Sequence, residues 1–77
     1  MEQRNFAWAL TRILAGQRVC REGWNGKGMW IAMMRGGQHE IITQPYIYMS
    51  TAQGDLIPWV VSQADLFADD WDFVASK

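Results

Sequence analysis

The hydrophobic period of this chain changes once, at Gly16, and that change constrains the fold more than any other feature. Before it, Phe6, Leu10, Ile13 and Leu14 recur at the i, i+4, i+7, i+8 spacing of one apolar helical stripe. Asn5 is placed to cap a helix of about a dozen residues, and Gly16 to end it in the C′ position. After Gly16 the apolar residues alternate or run in short blocks, the pattern of strands. Arg18 to Arg21, Met29 to Met34, Pro45 to Met49 and Leu56 to Val61 read as strands, and Gln38 to Thr43 as a continuation of the second or a short hairpin partner. Ser62-Gln63-Ala64-Asp65 has the spacing of an N-terminal cap and opens a short helix through Leu66 and Phe67. Trp71, Phe73 and Val74 then alternate with Asp72, as a last strand or an extended tail. The order lacks βαβ repetition. It implies an α+β fold: a small single domain over residues 1–77 with an N-terminal helix, an antiparallel β-sheet of about four strands and a short C-terminal helix.

Several packing expectations follow. The block Met29 to Met34 is almost wholly apolar, so both of its faces should be covered by protein. Pro58 argues that its strand is an edge or carries a bulge. Trp8 falls about 160° around the helix from Phe6 and should project away from the core, either into a subunit contact or as an exposed indole packed on an arginine. Met29, Met33, Met34 and Met49 read as core filling or a pliable interface.

A chain of 77 residues buries only about 60% of its unfolded surface, so oligomerisation is an expected supplement to its core. One cysteine, Cys20, excludes an intramolecular disulfide, and with one histidine, His39, a structural zinc site would need several chains. Cys20 reads as a small core hydrophobe in a reducing cytosol. No leader opens the chain, and no apolar run approaches the ~20 residues that span a bilayer. The expectation is a soluble intracellular protein with no membrane partner. Its formal charge of −1, with acids crowded at Asp65, Asp69, Asp70 and Asp72, makes DNA or long RNA a poor partner. The cations gather early, at Arg4, Arg12, Arg18, Arg21, Lys27 and Arg35, enough for a few phosphates.

Candidate chemistry centres on Arg21-Glu22-Gly23-Trp24-Asn25-Gly26-Lys27-Gly28. A base can stack on Trp24, a ribose hydroxyl can bond to Asn25, and phosphate oxygens can accept from Lys27, Arg21 and the backbone N–H groups that the glycines uncover. Asn25-Gly26 between apolar runs is also the commonest signal of a tight hairpin turn, the reading these eight residues favour on their own. A second cluster joins Trp59 to Ser62, Gln63 and Asp65. If the two converge, indoles would stack a base whose edge is read by amides and a carboxylate. Trp59 alone fits a core role equally well. Catalysis has little support. The one histidine lacks a nucleophile in a recognisable motif, no P-loop or dinucleotide fingerprint is present, and Asp69-Asp70 reads as a solvated acidic face. Neither an enzyme nor a cofactor is expected.

These blocks, together with Phe6-x-x-x-Leu10, Pro45-x-Ile47-x-Met49-x-Thr51-Ala52-x-Gly54, Pro58-Trp59-x-x-Ser62-Gln63-x-Asp65-Leu66 and Asp70-Trp71, resemble the phage Thoeris anti-defence proteins of the second type. The resemblance runs in order from Phe6 to Trp71. It implies a sponge that sequesters cyclic nucleotide immune signals without cleaving them, in the cytoplasm of the phage-infected bacterial host. The implied ligands are glycocyclic ADP-ribose isomers and, in some members, cyclic dinucleotides of the CBASS type. The implied assembly is a homotetramer, a dimer of dimers with pockets between protomers. Carried over, Trp24 is a stacking platform, Asn25, Thr51, Ser62, Gln63 and Asp65 bond to ribose and base, and Arg21 and Lys27 meet phosphate. Gly26, Gln53 and Trp59 complete the candidate set. Relatives often carry Asp or Asn where this chain has Gln53, Thr where it has Ala64, and a longer insertion before Pro45.

Overall fold

A computed structural model describes residues 4–24, 27–37 and 40–74. Helix α1 spans Phe6–Leu14, and strands β1 (Val19–Arg21), β2 (Trp30–Met34), β3 (Tyr46–Ser50) and β4 (Leu56–Pro58) follow. A short helix α2 (Gln63–Leu66) and strand β5 (Trp71–Phe73) close the chain. The α+β expectation holds, with five strands rather than about four in one antiparallel sheet of order β4-β3-β2-β1-β5.

The ends of α1 follow from local chemistry. The Asn5 side chain accepts from the Trp8 backbone N–H at 3.0 Å, satisfying a donor the helix leaves free. At the other end Gly16, at φ 88°, donates to Ile13 O, and Gln17 donates to Arg12 O, the two bonds of a Schellman ending. An Asn5→Ala variant is expected to lose about 1 kcal/mol, read as a lower denaturation midpoint at unchanged slope.

Cross-strand partners share a face, and so do residues two apart along a strand. By that rule Val19, Ile31, Met49 and Trp71 line one face, where they meet Ala9 and Ile13 of α1 in the core. The helix is therefore centred on Ala9 and Ile13, both fully buried, and not on the whole expected stripe: Leu10 and Leu14 are exposed. Its small Ala9 lets α1 lie close over β1, β2 and β5.

Trp8 packs on an arginine, as one of its two expected roles had it, but it does not project away from the core. It packs edge-on against Phe73, ring centroids 5.0 Å apart, beneath the Arg4 guanidinium. β5 pairs outside β1 and extends the sheet under the side of the helix that a single stripe leaves bare. The indole is half-buried within its own chain and not directed away from it.

The last apolar stretch, expected to be a strand through Val61, is regular only to Pro58 and lies at the sheet edge, where a missing N–H costs no ladder bond. Residues 40–43 form no strand, and the rest of that expected segment, with His39, lies outside the described residues. The expectation that β2 is covered on both faces holds within this chain for the α1 side alone. The other face carries Trp30, Ala32, Met34, Tyr46 and Tyr48; Arg18 stacks over Trp30 at 4.3 Å, and Ala32 is shaded by its larger neighbours. Next to it, Met34, Tyr46, Tyr48 and Leu56–Pro58 border an open apolar groove of about 190 Å³. Cys20 is half-buried, its thiol pushed up by burial and then by Asp72 and Asp70, which fits an unreactive filler. No helix among the described residues is long and apolar enough to cross a membrane.

Candidate functional site

Arg21 explains how the site is built. It lies two residues from fully buried Val19, so the strand period aims it at the covered face, where a guanidinium must find carboxylates. The β1–β5 register sets Arg21 opposite Trp71 and so brings Asp70 alongside the end of β1. Arg21 Nε donates to Asp70 Oδ1 at 2.7 Å, and Nη1 donates to Asp65 Oδ1 at 2.8 Å. The three side chains are 18%, 28% and 13% exposed for Arg21, Asp70 and Asp65.

Asp65 is the hub. Its Oδ1 also accepts from Trp24 Nε1 at 3.1 Å, its Oδ2 accepts from the Ser62 hydroxyl, and its backbone N–H donates back to Ser62 Oγ. Ser62 is thus the N-cap of α2, and one reciprocal pair of bonds starts the helix and orients the carboxylate. Burial pushes the Asp65 carboxyl up, but the bonds from Arg21, Trp24 and Ser62 together hold it below its ordinary range. Asp70 is held down chiefly by Arg21, against a smaller rise from burial, with help from the Gly23 N–H. The Arg21 guanidinium is correspondingly held above its ordinary value by hydrogen bonds to Asp70 and Asp65.

The two clusters seen in the sequence do converge, around a residue neither contained. Trp24 meets Trp71 edge-on at 5.4 Å, Trp59 meets it at 6.3 Å, and Phe6 joins both Trp59 and Trp71. Trp71 is 1% exposed and donates through Nε1 to Asp65 O. Trp24 and Trp59 are half-buried, so each keeps part of its surface open.

The remaining candidates are spread around this centre. Lys27 is exposed in the turn that leads into β2, and Asn25 and Gly26 before it lie outside the described residues. Thr51 and Gln53 sit in the β3–β4 hairpin, at the same end of the sheet because Ser50 pairs with Trp30. Thr51 Oγ1 accepts from Asp55 N at 3.1 Å, so it is engaged in its own turn, whereas Gln53 is exposed. Gln63 is exposed on α2.

Asp70 and Trp71 were missed as contributors, and the Gly23 N–H, expected to be uncovered for phosphate, is taken by the Asp70 carboxylate. Asp70 is no solvated acid: besides Arg21 it accepts from Gly23 N at 2.8 Å, while Asp69 is exposed as expected. The available signal was the arginine on the buried face of β1, which required counter-charges. With one guanidinium against two carboxylates, the cluster carries net −1, so Arg21 offers little attraction to phosphate. No group of three or more His, Cys, Asp or Glu among the described residues is arranged to hold a metal.

With this geometry, the chain aligns over residues 4–74 with a family described as the Thoeris anti-defense 2-like domain. It is also 34% identical over 84 residues to Thoeris anti-defense 2 of Bacillus phage SP01, covering 92% of this chain and 94% of that protein. The chain belongs to the Thoeris anti-defense 2-like family, whose role is phage counter-defence.

Proposed function

We propose that this protein sequesters a cyclic nucleotide immune signal without cleaving it, in the cytoplasm of a phage-infected bacterium, and so keeps the Thoeris effector silent. The supporting observation, within a family of counter-defence proteins, is the direct bond from Trp24 Nε1 to Asp65, which joins the two ligand-type clusters at one end of the sheet. In this reading the exposed part of Trp24 stacks the base. Asn25, Gly26, Lys27, Thr51, Gln53, Trp59, Ser62 and Gln63 are the further ligand contacts of this reading. Phosphate recognition falls to Lys27 and backbone N–H groups, since Arg21 and Asp65 are engaged with each other. The open apolar face of β2 and β3 supports self-association of this single domain, as a homotetramer with pockets between protomers.

The ligand class is a glycocyclic ADP-ribose, with cyclic dinucleotides second. Incubation with each, washing and heat release should return intact ligand on chromatography. No uptake at micromolar protein would sink the proposal, and appearance of a cleaved product would make the protein a hydrolase. Trp24→Ala should fold and assemble yet capture about tenfold to a hundredfold more weakly, the loss of ~1–3 kcal/mol of stacking. A second reading is favoured by the packing of Trp24 and Trp59 on Trp71: an interaction protein whose indoles serve only structure. It predicts that Trp24→Ala instead ruins folding or oligomerisation.

A further inference from the structure

We infer that Asp70 is the positioning residue of the Trp24 loop, and that position 23 is glycine because the Asp70 carboxylate occupies the space a side chain would need. The inference rests on the reading of that loop as the ligand rim, but its first readout is independent of any ligand.

Four bonds tie the exit of β1 to this one residue, the longest of them from Arg21 Nη2 to Asp70 Oδ2 at 3.4 Å. Glu22 N donates to Asp70 O at 3.1 Å, Gly23 N donates to Asp70 Oδ2 at 2.8 Å, and Arg21 Nε donates to Asp70 Oδ1 at 2.7 Å. The chain then turns, with Trp24 N donating to Arg21 O at 3.3 Å, and the indole is delivered to Asp65. A Cβ on Gly23 would stand 2.9 Å from Asp70 Oδ2, closer than such atoms approach, and 3.1 Å from Arg21 Nη2, a tight contact, so the carboxylate would have to shift from its bonds to Arg21 and the loop. Gly23 is not among the glycines at positive φ, so its backbone conformation is open to any residue. The exclusion is therefore steric and comes from Asp70. A charged acceptor over a free N–H sets the direction in which Trp24 leaves the strand.

The role is separable from the fold. Asp65 caps α2 and supports Trp71 as well as Arg21, whereas the side-chain bonds of Asp70 all go to Arg21 and the loop, apart from the backbone N–H of Asp70 itself. Asp70→Asn keeps the shape and an acceptor oxygen but removes the charge. Gly23→Ala leaves Asp70 intact and pushes on it. Asp72→Asn, on the same strand segment and paired with Arg4, is the control.

Hydrogen exchange by NMR is the first measurement. In Asp70→Asn and Gly23→Ala the amide at position 23 and the Trp24 indole N–H should exchange faster by at least about tenfold beyond any acceleration of the Ile31 and Met49 amides, which report global stability, while the Asp72→Asn control leaves position 23 and the indole unchanged. Unchanged exchange at position 23 and at the indole overturns the inference. Equilibrium dialysis with glycocyclic ADP-ribose, at a temperature where every variant is folded, is the second. Both loop variants should bind at least about tenfold more weakly than wild type and the control. Wild-type binding retained in a folded variant with a freed loop would overturn the positioning role. Absence of binding by the wild type would overturn the proposed function, while the exchange data still decide whether Asp70 holds the loop.

Discussion

Trp71→Ala is expected to lower the melting temperature by at least about 15 °C, because it removes the ring on which three other aromatic side chains rest. Trp71 is 1% exposed, and large-to-small changes at such sites cost about 3–5 kcal/mol. A chain of 77 residues has about 4–12 kcal/mol of stability to lose. The variant also loses the Nε1 bond to Asp65 O, freeing the hub of the polar cluster. Trp71→Phe retains most of the apolar area and should cost less, about 1–2 kcal/mol. Thermal unfolding followed by circular dichroism checks both, and a shift of a few degrees for Trp71→Ala would show that the core stands without this ring.

Arg21→Ala should destabilise the protein by about 2–3 kcal/mol at neutral pH, less than the ~3–5 kcal/mol of a fully buried pair because Asp70 keeps over a quarter of its exposure. The damage comes from two carboxylates left facing one another without a cation. In the wild type, Asp65 and Asp70 are held below their unfolded values. Their contribution is therefore complete above about pH 4 and is lost as pH falls through their depressed folded values. In Arg21→Ala the sign reverses: the orphaned carboxylates titrate upward, and acidification toward pH 5 recovers part of the loss by protonating one of them. Denaturant unfolding at several pH values measures both slopes. A variant that recovers no stability between neutral pH and pH 5 would contradict this electrostatic account.

The ends of the first helix and the succession of elements along the chain were legible because local signals carry them, Asn5 and Gly16 at the helix ends and the change of period after them. Proline's missing N–H narrowed Pro58 to an edge or a bulge, of which the sheet shows the edge. The extent of the sheet was not legible. Trp71-Asp72-Phe73 is too short to be told from a tail, and pairing with β1 across some fifty residues makes it a strand. That same pairing turned Trp8 from an outward indole into a partner of Phe73. The burial of Leu10 was overestimated for a related reason: periodicity finds the apolar side of a helix, but the sheet beneath decides which row is central.

In the candidate site, residue types were readable and their partners were not. Trp24, Trp59, Ser62 and Asp65 were rightly grouped before their contacts were known, and the Ser62 cap followed from its spacing. Arg21, expected to face phosphate, turned out to face Asp65 and Asp70. The difference is physical. An arginine at the end of a strand carries the same charge whether it meets a ligand or a carboxylate of its own chain, and nothing within several residues of it distinguishes the two.

The amino-acid order alone therefore set the family, the α+β class and the two clusters around Trp24 and Trp59, because these depend on short-range spacing and residue chemistry. Tertiary structure alone decided that the clusters meet on Trp71, that Asp70 stands behind Gly23 and that the Arg21 charge is engaged within the chain. Those facts arise from the antiparallel register of β1 with β5, which joins segments that are distant in the chain and is set by cooperative packing of the whole sheet, not by any local pattern.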